Sequence, residues 1–260
     1  MKAGLNAAVW LALALLAAGC QPNVRPPRGV TPVMATWLYG QYAIPAEYTR
    51  SGSDQTFRAT PGGPPWTTTA ARALKPGAKV PVVLYLHGCT GIKQQAERYR
   101  ALLLSQGYAV FMPDSFQRPG RWACGEEGPL AYRVSLRLQE LAYAYRQIRA
   151  LPWVDRTRIV LMGFSEGGNT VDHWNKPGFA AHIIIGSACT LVGGRPAAPP
   201  GTPVLAIVGA RDDYRPGLSC TIERTVGGSK SVVISNAGHK VAQYPQTRDA
   251  IKAFLHSCCR

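Results

Sequence analysis

The sequence predicts an α/β fold, a single domain built on one doubly wound, mainly parallel sheet. From residue 80 onward, near-continuous apolar runs alternate with longer stretches in which apolar residues recur at helical spacing. Such runs are typical of strands buried on both faces, and the helices between them cover those faces. The 260 residues contain no internal repeat and no second apolar core, so one domain is expected.

Strands and helices follow one another from the first apolar run to the end of the chain. A run rich in Val, Leu and Tyr at residues 80–88 predicts a buried strand, and helical spacing predicts a helix over 93–106. A second strand at 108–114 leads through a Gly- and Pro-rich loop to a long helix over 132–151. The remaining predicted elements are strands at 158–164, 180–188, 203–209 and 231–235, a short helix after residue 165 that ends near Pro177, and a closing helix at 244–258.

The pattern upstream of residue 80 is less regular. Residues 35–46 have the composition of a strand or hairpin, and residues 59–78 look like a loop. We therefore expect this part of the chain to add edge strands or loops to the sheet.

Basic residues outnumber acidic ones, with 29 Lys and Arg against 14 Asp and Glu and a formal net charge of +15. Such an excess fits nucleic acid, anionic lipid or an acidic substrate as partner, and equally a basic solvated surface. The basic residues are scattered along the chain and form no basic run, so no nucleic-acid partner is expected.

The N-terminal residues 1–19 have the pattern of an export signal. Lys2 precedes an apolar run that is short for a membrane span, and the run ends in LAAGC. This ending resembles the lipobox of bacterial lipoproteins, in which cleavage occurs before a cysteine, here Cys20, that is then lipidated. The alternatives are a plain secretory signal and an uncleaved anchor. Residues 20–32 then form a lipidated, Pro-rich tether, and residues 33–260 form the domain. We expect this domain to be anchored in the cell envelope and to face the periplasm. The alternative is a protein that is soluble in the periplasm or secreted.

Six cysteines remain when Cys20 is set aside, and an even number in an exported protein predicts disulfides. Cys89 and Cys124 both follow predicted strands at the same edge of the sheet. Cys189 and Cys220 are placed in the same way after two neighbouring strands. We therefore predict one bridge within each pair.

The other cysteine predictions stay open. Cys258 and Cys259 either form a vicinal pair, stay reduced, or join another chain, and Cys89 is alternatively a free thiol small enough for its turn. None of the six has the C-x-x-C spacing of a zinc site, so neither a metal nor any other cofactor is expected.

Ser165 lies where a predicted strand turns directly into a helix, in the pattern Gly163-x-Ser165-x-Gly167. A tight turn at this point needs residues without bulk, and it lifts the serine hydroxyl above the carboxyl edge of the sheet. The first N–H groups of the following helix are free to bind negative charge. The pattern predicts a nucleophile, with a simple helix cap as the alternative.

An acid and a base follow Ser165 in chain order. Asp212 stands just past the predicted strand at 203–209, and His239 lies in the loop after the next strand. Serine, acid and histidine in this order form the arrangement in which a histidine activates the hydroxyl and a carboxylate orients the histidine. Asp213 is the alternative acid, and His87 is an alternative base.

Five stretches together, YLHGCTG, MPDSF, VDRTRIVLMGFSEGG, VGARDD and NAGH, resemble the dienelactone hydrolase-like branch of the α/β-hydrolase family over about residues 80–256. The resemblance implies the α/β-hydrolase fold, Ser165 as nucleophile, His239 as base and Asp212 as its orienting acid. It also implies an oxyanion hole made by the backbone N–H groups of Cys89 and Glu166, and a structural role for His87. The namesake enzymes use a cysteine nucleophile, so a serine esterase is expected rather than an enzyme for chlorinated-aromatic dienelactones.

The function expected from these features is a membrane-anchored serine hydrolase that cleaves small-molecule carboxylic esters. A peptidase, thioesterase or acyltransferase uses the same machinery, and a non-catalytic envelope lipoprotein is the alternative outside enzymes. The residues do not name the acyl or alcohol group, nor the oligomeric state.

The loop from Ser115 to Leu130 follows a strand at the catalytic edge, so it is predicted to border the substrate pocket. Phe116 and Trp122 are the candidate apolar wall, and Arg118 or Arg121 could bind a substrate carboxylate. The alternative is an ordinary surface loop.

Overall fold

An eight-stranded sheet runs through the part of the chain that the structure, a computed structural model, describes: residues 29–59, 63–122, 124–125, 128–214 and 218–259. The predicted signal segment and Cys20 lie outside these residues. The strand order is β2-β1-β4-β3-β5-β6-β7-β8. The strands are β1 Gln41–Ile44, β2 Gln55–Phe57, β3 Val80–Leu86, β4 Ala109–Met112, β5 Val154–Phe164, β6 Ala181–Ile185, β7 Val204–Gly209 and β8 Lys230–Ile234.

The six strands β3 to β8 are parallel to one another, whereas β1 is antiparallel to both β2 and β4. The carboxyl ends of β3, β5, β7 and β8 therefore meet at one edge, where ligands bind in open parallel sheets. Strands β1 and β2 form one side of the sheet, which confirms the prediction that the residues before 80 add edge strands.

Helices cover both faces of the sheet, so the predicted doubly wound α/β fold is confirmed. One apolar core lies between the sheet and α1, α2, α4 and α5, and the other lies between the sheet and α3 and α6. None of the helices within the described ranges is both long and apolar enough to cross a bilayer. The helices are α1 Pro32–Leu38, α2 Trp66–Ala73, α3 Gln94–Leu104, α4 Leu130–Ala150, α5 Glu166–Asp172 and α6 Pro245–Cys258.

Two predictions upstream of β3 were wrong in part. Residues 35–46, expected as a strand or hairpin, contain most of α1 followed by β1. Thr31 caps α1 and accepts from the Met34 N–H at 3.3 Å, and a proline occupies the first turn.

The segment expected as a loop over 59–78 contains helix α2. The Trp66 ring is 2% exposed and stacks on Tyr42 with 3.6 Å between ring centroids. Burial of this side of α2 stabilises a helix of only eight residues, three of them threonine, which is too short to be stable by itself.

Candidate active site

Ser165 occupies a sharp turn between β5 and α5. Its backbone has φ 56° and ψ −116°, a conformation that costs a non-glycine residue free energy and is characteristic of functional sites. The Ser165 N–H donates to the Ile185 carbonyl oxygen at 2.7 Å, which joins the turn to β6. A Cβ atom on Gly163 would overlap the Gly167 carbonyl oxygen. The pattern around the serine therefore has a steric cause.

His239 lies between Ser165 and Asp212. Its Nε2 is 2.8 Å from Ser165 Oγ, and its Nδ1 is 2.7 Å from Asp212 Oδ2. The Asp212 side chain is buried, and its Oδ1 accepts from the Tyr214 N–H at 3.0 Å. Asp213, the alternative acid, is exposed to solvent. The three ends of β5, β7 and β8 thus bring a hydroxyl, an imidazole and a carboxylate into one line.

Aromatic rings hold His239 from two sides. Its ring centroid lies 5.0 Å from that of Phe164 and 4.7 Å from that of Tyr214, which is 72% exposed. Gly186 leaves the space that the imidazole fills, because a Cβ atom there would stand 3.0 Å from His239 Cε1. These contacts restrict the rotation of the imidazole.

The turn after β3 lies directly beside Ser165. A Cβ atom on Gly88 would stand 3.4 Å from the Cβ of Ser165. The next residue, Cys89, accepts a hydrogen bond from the Cys124 N–H at 3.2 Å through its carbonyl oxygen. No backbone hydrogen bond between described residues uses the N–H of Cys89 or of Glu166, and the oxyanion role of these two groups stays a prediction.

His87 is fully buried, and both of its ring nitrogens are engaged. Its Nδ1 donates to the Gly88 carbonyl oxygen at 2.7 Å, and its Nε2 accepts from the Ser115 N–H at 3.0 Å. Burial and the Arg137 charge hold the pKa of His87 well below its usual range. His87 is therefore a neutral support of the turn and does not contact Ser165 as a base.

The carboxylate of Glu166 is the main feature that the sequence did not reveal. It is buried and pairs with Arg121, with Arg133 Nε at 3.0 Å and with Arg137 Nη1 at 3.2 Å. Only the backbone N–H of this residue was assigned a role from the sequence. The sequence features that could have indicated this ion-pair cluster are the acidic residue directly after Ser165 and the arginines Arg133 and Arg137, which stand four positions apart on one face of α4.

The binding of a substrate carboxylate by Arg118 or Arg121 stays a prediction, and both side chains have partners within the protein. The Arg121 side chain is 1% exposed and engaged by Glu166 and by the carbonyl oxygen of Trp122. The Arg118 guanidinium donates to Gln139 at 3.1 Å and lies near Glu140 on α4. Both arginines point into the protein because buried carboxylates lie there.

The two aromatic candidates of the same loop have different surroundings. Phe116 stacks on His87 with 5.8 Å between centroids and lies under the Arg121 guanidinium. Trp122 is 37% exposed and packs against Tyr132 with 5.5 Å between centroids. Their part in a substrate pocket stays a prediction.

Both predicted disulfides are present in the structure. Cys89 is joined to Cys124, and Cys189 to Cys220, each with 5.1 Å between Cα atoms. Of the alternatives for the last two cysteines, the structure has the vicinal Cys258–Cys259 pair. The described residues contain no cluster of three or more His, Cys, Asp or Glu able to hold a metal ion.

Comparison with known proteins connects this geometry to a family. The sequence model that describes the dienelactone hydrolase family matches residues 68–250 of this chain. No curated protein matches the sequence.

Solved structures share the fold at low sequence identity. Est1E from Butyrivibrio proteoclasticus with ferulic acid bound is 17% identical, covers 69% of this chain and 90% of its own, and has a TM-score of 0.51. A cold-adapted esterase from an Arctic intertidal metagenomic library is 16% identical, with 71% and 85% covered and a TM-score of 0.51. A dienelactone hydrolase from Anabaena variabilis ATCC 29413 is 19% identical, with 72% and 90% covered and a TM-score of 0.50.

These structures support the fold alone, whereas the family model matches more than half of the chain. The chain therefore belongs to the dienelactone hydrolase family and is a carboxylic ester hydrolase.

Proposed function

We propose that the protein cleaves small-molecule carboxylic esters through an acyl-enzyme in which Ser165 is the nucleophile. The observation that carries the proposal is the continuous contact from Ser165 Oγ through His239 to the buried Asp212 carboxylate. A serine hydroxyl is a poor nucleophile unless a base takes its proton, and that base is effective only when it is held in one tautomer.

Acylation begins with attack of Ser165 Oγ on the ester carbonyl carbon. The serine proton passes to His239 Nε2 across the 2.8 Å contact. Asp212 accepts from the Nδ1–H group, which keeps the tautomer and stabilises the imidazolium that forms. The intermediate then breaks its bond to the alcohol oxygen, and His239 returns the proton to that oxygen as it leaves.

Deacylation repeats the same steps with water. His239 takes a proton from a water molecule, which attacks the acyl-enzyme carbonyl, and then returns the proton to Ser165 Oγ as the carboxylic acid is released. In both halves the negative oxygen of the intermediate is bound by the N–H groups of Cys89 and Glu166. One such donor typically contributes about 2.7–4 kcal/mol to lowering the barrier.

A fluorophosphonate probe tests the proposal because it labels an activated serine covalently. We expect the wild-type protein to be labelled and Ser165→Ala to be neither labelled nor active. The matched control is Ser135→Ala, an exposed serine on α4, which should retain both. An unlabelled wild-type protein, or full labelling of Ser165→Ala, would refute the proposed nucleophile and favour a non-catalytic binding role.

The substrate class is tested with a panel of p-nitrophenyl and aryl esters of varied chain length, beside the corresponding anilides and thioesters. We expect turnover of esters, and the chain-length profile will identify the acyl group. Faster turnover of anilides or thioesters than of esters would replace the esterase assignment by a peptidase or thioesterase.

We also propose that the mature protein is anchored by lipid at Cys20 and faces the periplasm. The three disulfides between described residues support an oxidising compartment, and the LAAGC ending supports lipidation. Labelling with radioactive palmitate and membrane fractionation test the anchor, with Cys20→Ala expected to lose the label. A wild-type protein that takes up no label would indicate a plain secretory signal or an uncleaved anchor instead.

A further inference from the structure

Arg137 joins the two loops that carry the proposed oxyanion donors. Its Nη1 atom donates to the His87 carbonyl oxygen at 3.0 Å and also lies 3.2 Å from Glu166 Oε1. We propose that Arg137 is a positioning residue, which holds the N–H groups of Cys89 and Glu166 at the separation that one oxyanion requires. This inference rests on the proposed function and deepens it.

The two loops touch each other through their backbones. A Cβ atom on Gly167 would overlap the Leu86 carbonyl oxygen and would stand 2.9 Å from the His87 carbonyl oxygen. At Gly167 the start of α5 therefore lies directly against the end of β3. A small shift of either loop therefore changes the distance between the two proposed donors directly, and a guanidinium bonded to both loops opposes such a shift.

A second series of contacts connects the same loops on another side. The Ser115 N–H donates to His87 Nε2 at 3.0 Å, and Ser115 Oγ accepts from Arg121 Nε at 2.9 Å. Arg121 in turn pairs with Glu166. The contacts from Glu166 through Arg121, Ser115, His87 and Arg137 thus return to Glu166 and form a closed ring beneath the nucleophile.

Among the described residues, the ring and the buried side chains packed against it carry more positive than negative charge. Four arginines surround two buried glutamates, Glu140 and Glu166. Burial raises the pKa of Glu140, and the Arg137 charge opposes that shift. Fixed positive charge in a buried site favours an oxyanion forming nearby, and it needs no reorganisation when the charge develops.

Two substitutions separate position from charge. Arg137→Met removes both the bridge and the charge, whereas Arg137→Lys keeps a charge for the buried carboxylates but is too short to place a donor at the Nη1 position. Arg149→Met is the matched control, because Arg149 is exposed on the same helix. The readouts are kcat and KM for a p-nitrophenyl ester, inhibition by phenylboronic acid, and the melting temperature.

We expect both Arg137 variants to lose kcat, by about 10²-fold for Arg137→Met, because displacements of about 1 Å in an active site have effects of this size. KM should change little, and phenylboronic acid affinity should fall in parallel with kcat/KM, because its tetrahedral adduct occupies the oxyanion site. Arg137→Lys stays compensated in charge and tests the inference even if Arg137→Met fails to fold. A folded Arg137→Lys with wild-type kcat and boronate affinity would overturn the inference.

Amide hydrogen exchange distinguishes this inference from the proposed function. We expect faster exchange in peptides covering residues 86–91 and 164–170 of both Arg137 variants and unchanged exchange in Arg149→Met. Unchanged exchange in all three variants would overturn the bridge. If the Arg137 variants exchange faster but the wild-type protein is not labelled by the fluorophosphonate, the bridge is supported and the proposed chemistry is refuted.

Discussion

Asp212 Oδ2 lies 2.7 Å from His239 Nδ1, whereas the adjacent Asp213 points to solvent. The two carboxylates are neighbours in sequence, so replacing each in turn gives a matched pair. We expect Asp212→Asn to lower kcat by about 10⁴-fold, because an amide allows the wrong imidazole tautomer. Asp213→Asn should be close to wild type. Kinetics with a p-nitrophenyl ester measure both, and the reverse order of losses would assign the orienting role to Asp213.

The activity should increase as the pH is raised from acid toward neutral, because His239 acts as a base. Only the neutral imidazole can accept the Ser165 proton, so the protonated enzyme is inactive. His87 does not add a second inflection, because burial holds its pKa well below its usual range. The measurement is kcat/KM against pH, and a kcat/KM that falls as the pH is raised from acid toward neutral would contradict His239 as the base.

The disulfides offer a comparison between two loops of similar length, with a sequence separation of 35 for Cys89–Cys124 and of 31 for Cys189–Cys220. Removing either bridge by a double Cys→Ser change should lower the free energy of unfolding by about 2–4 kcal/mol. Only loss of Cys89–Cys124 should also reduce kcat, since that bridge holds the turn that carries a proposed oxyanion donor. Equal kcat losses, measured where both variants are folded, would show that the effect is one of general stability.

The buried His182 should make the protein sensitive to acid. Burial lowers its pKa to about 3, while the same residue in an unfolded chain binds a proton near pH 6.5. Since the unfolded state binds more protons in this window, the free energy of unfolding falls as the pH drops below about 6.5 and does so until about 3. One such group changes the free energy of unfolding by at most about 1.4 kcal/mol per pH unit.

His182→Leu should therefore flatten the dependence of stability on pH. Neither ring nitrogen of His182 has a hydrogen-bond partner within the described part of the chain, so the change removes no contact of that kind. Urea unfolding at several pH values between about 7 and about 4 measures the slope. An unchanged slope in the variant would mean that groups other than His182 cause the acid sensitivity.

The central part of the fold could be predicted from the sequence because its signals are local. Buried strands appear as continuous apolar runs. Each of five strands overlaps a range predicted from such a run: β3, β4, β5, β6 and β7. The turn at Ser165 was visible because its glycines stand within a few positions of the serine. At Gly163 the requirement for glycine arises from the nearby Gly167 carbonyl oxygen, whereas at Gly167 it arises from the Leu86 carbonyl oxygen of β3, far away in sequence. Helix α2 was missed because its stability comes from contact with Tyr42, about two dozen positions away.

The sequence by itself determined the class of fold, the serine turn, the order of the candidate serine, acid and base, and the pairing of four cysteines. Each of these depends on residue type and spacing, or on the rule that parallel strands end at a common edge. The tertiary structure alone decided where the long charged side chains go. Arg121 and Arg137 are distant from Glu166 along the chain, and they meet it because α4 and the segment 115–122 direct these two side chains inward. A buried carboxylate is stable only with such partners, and no local pattern specifies which distant residues supply them.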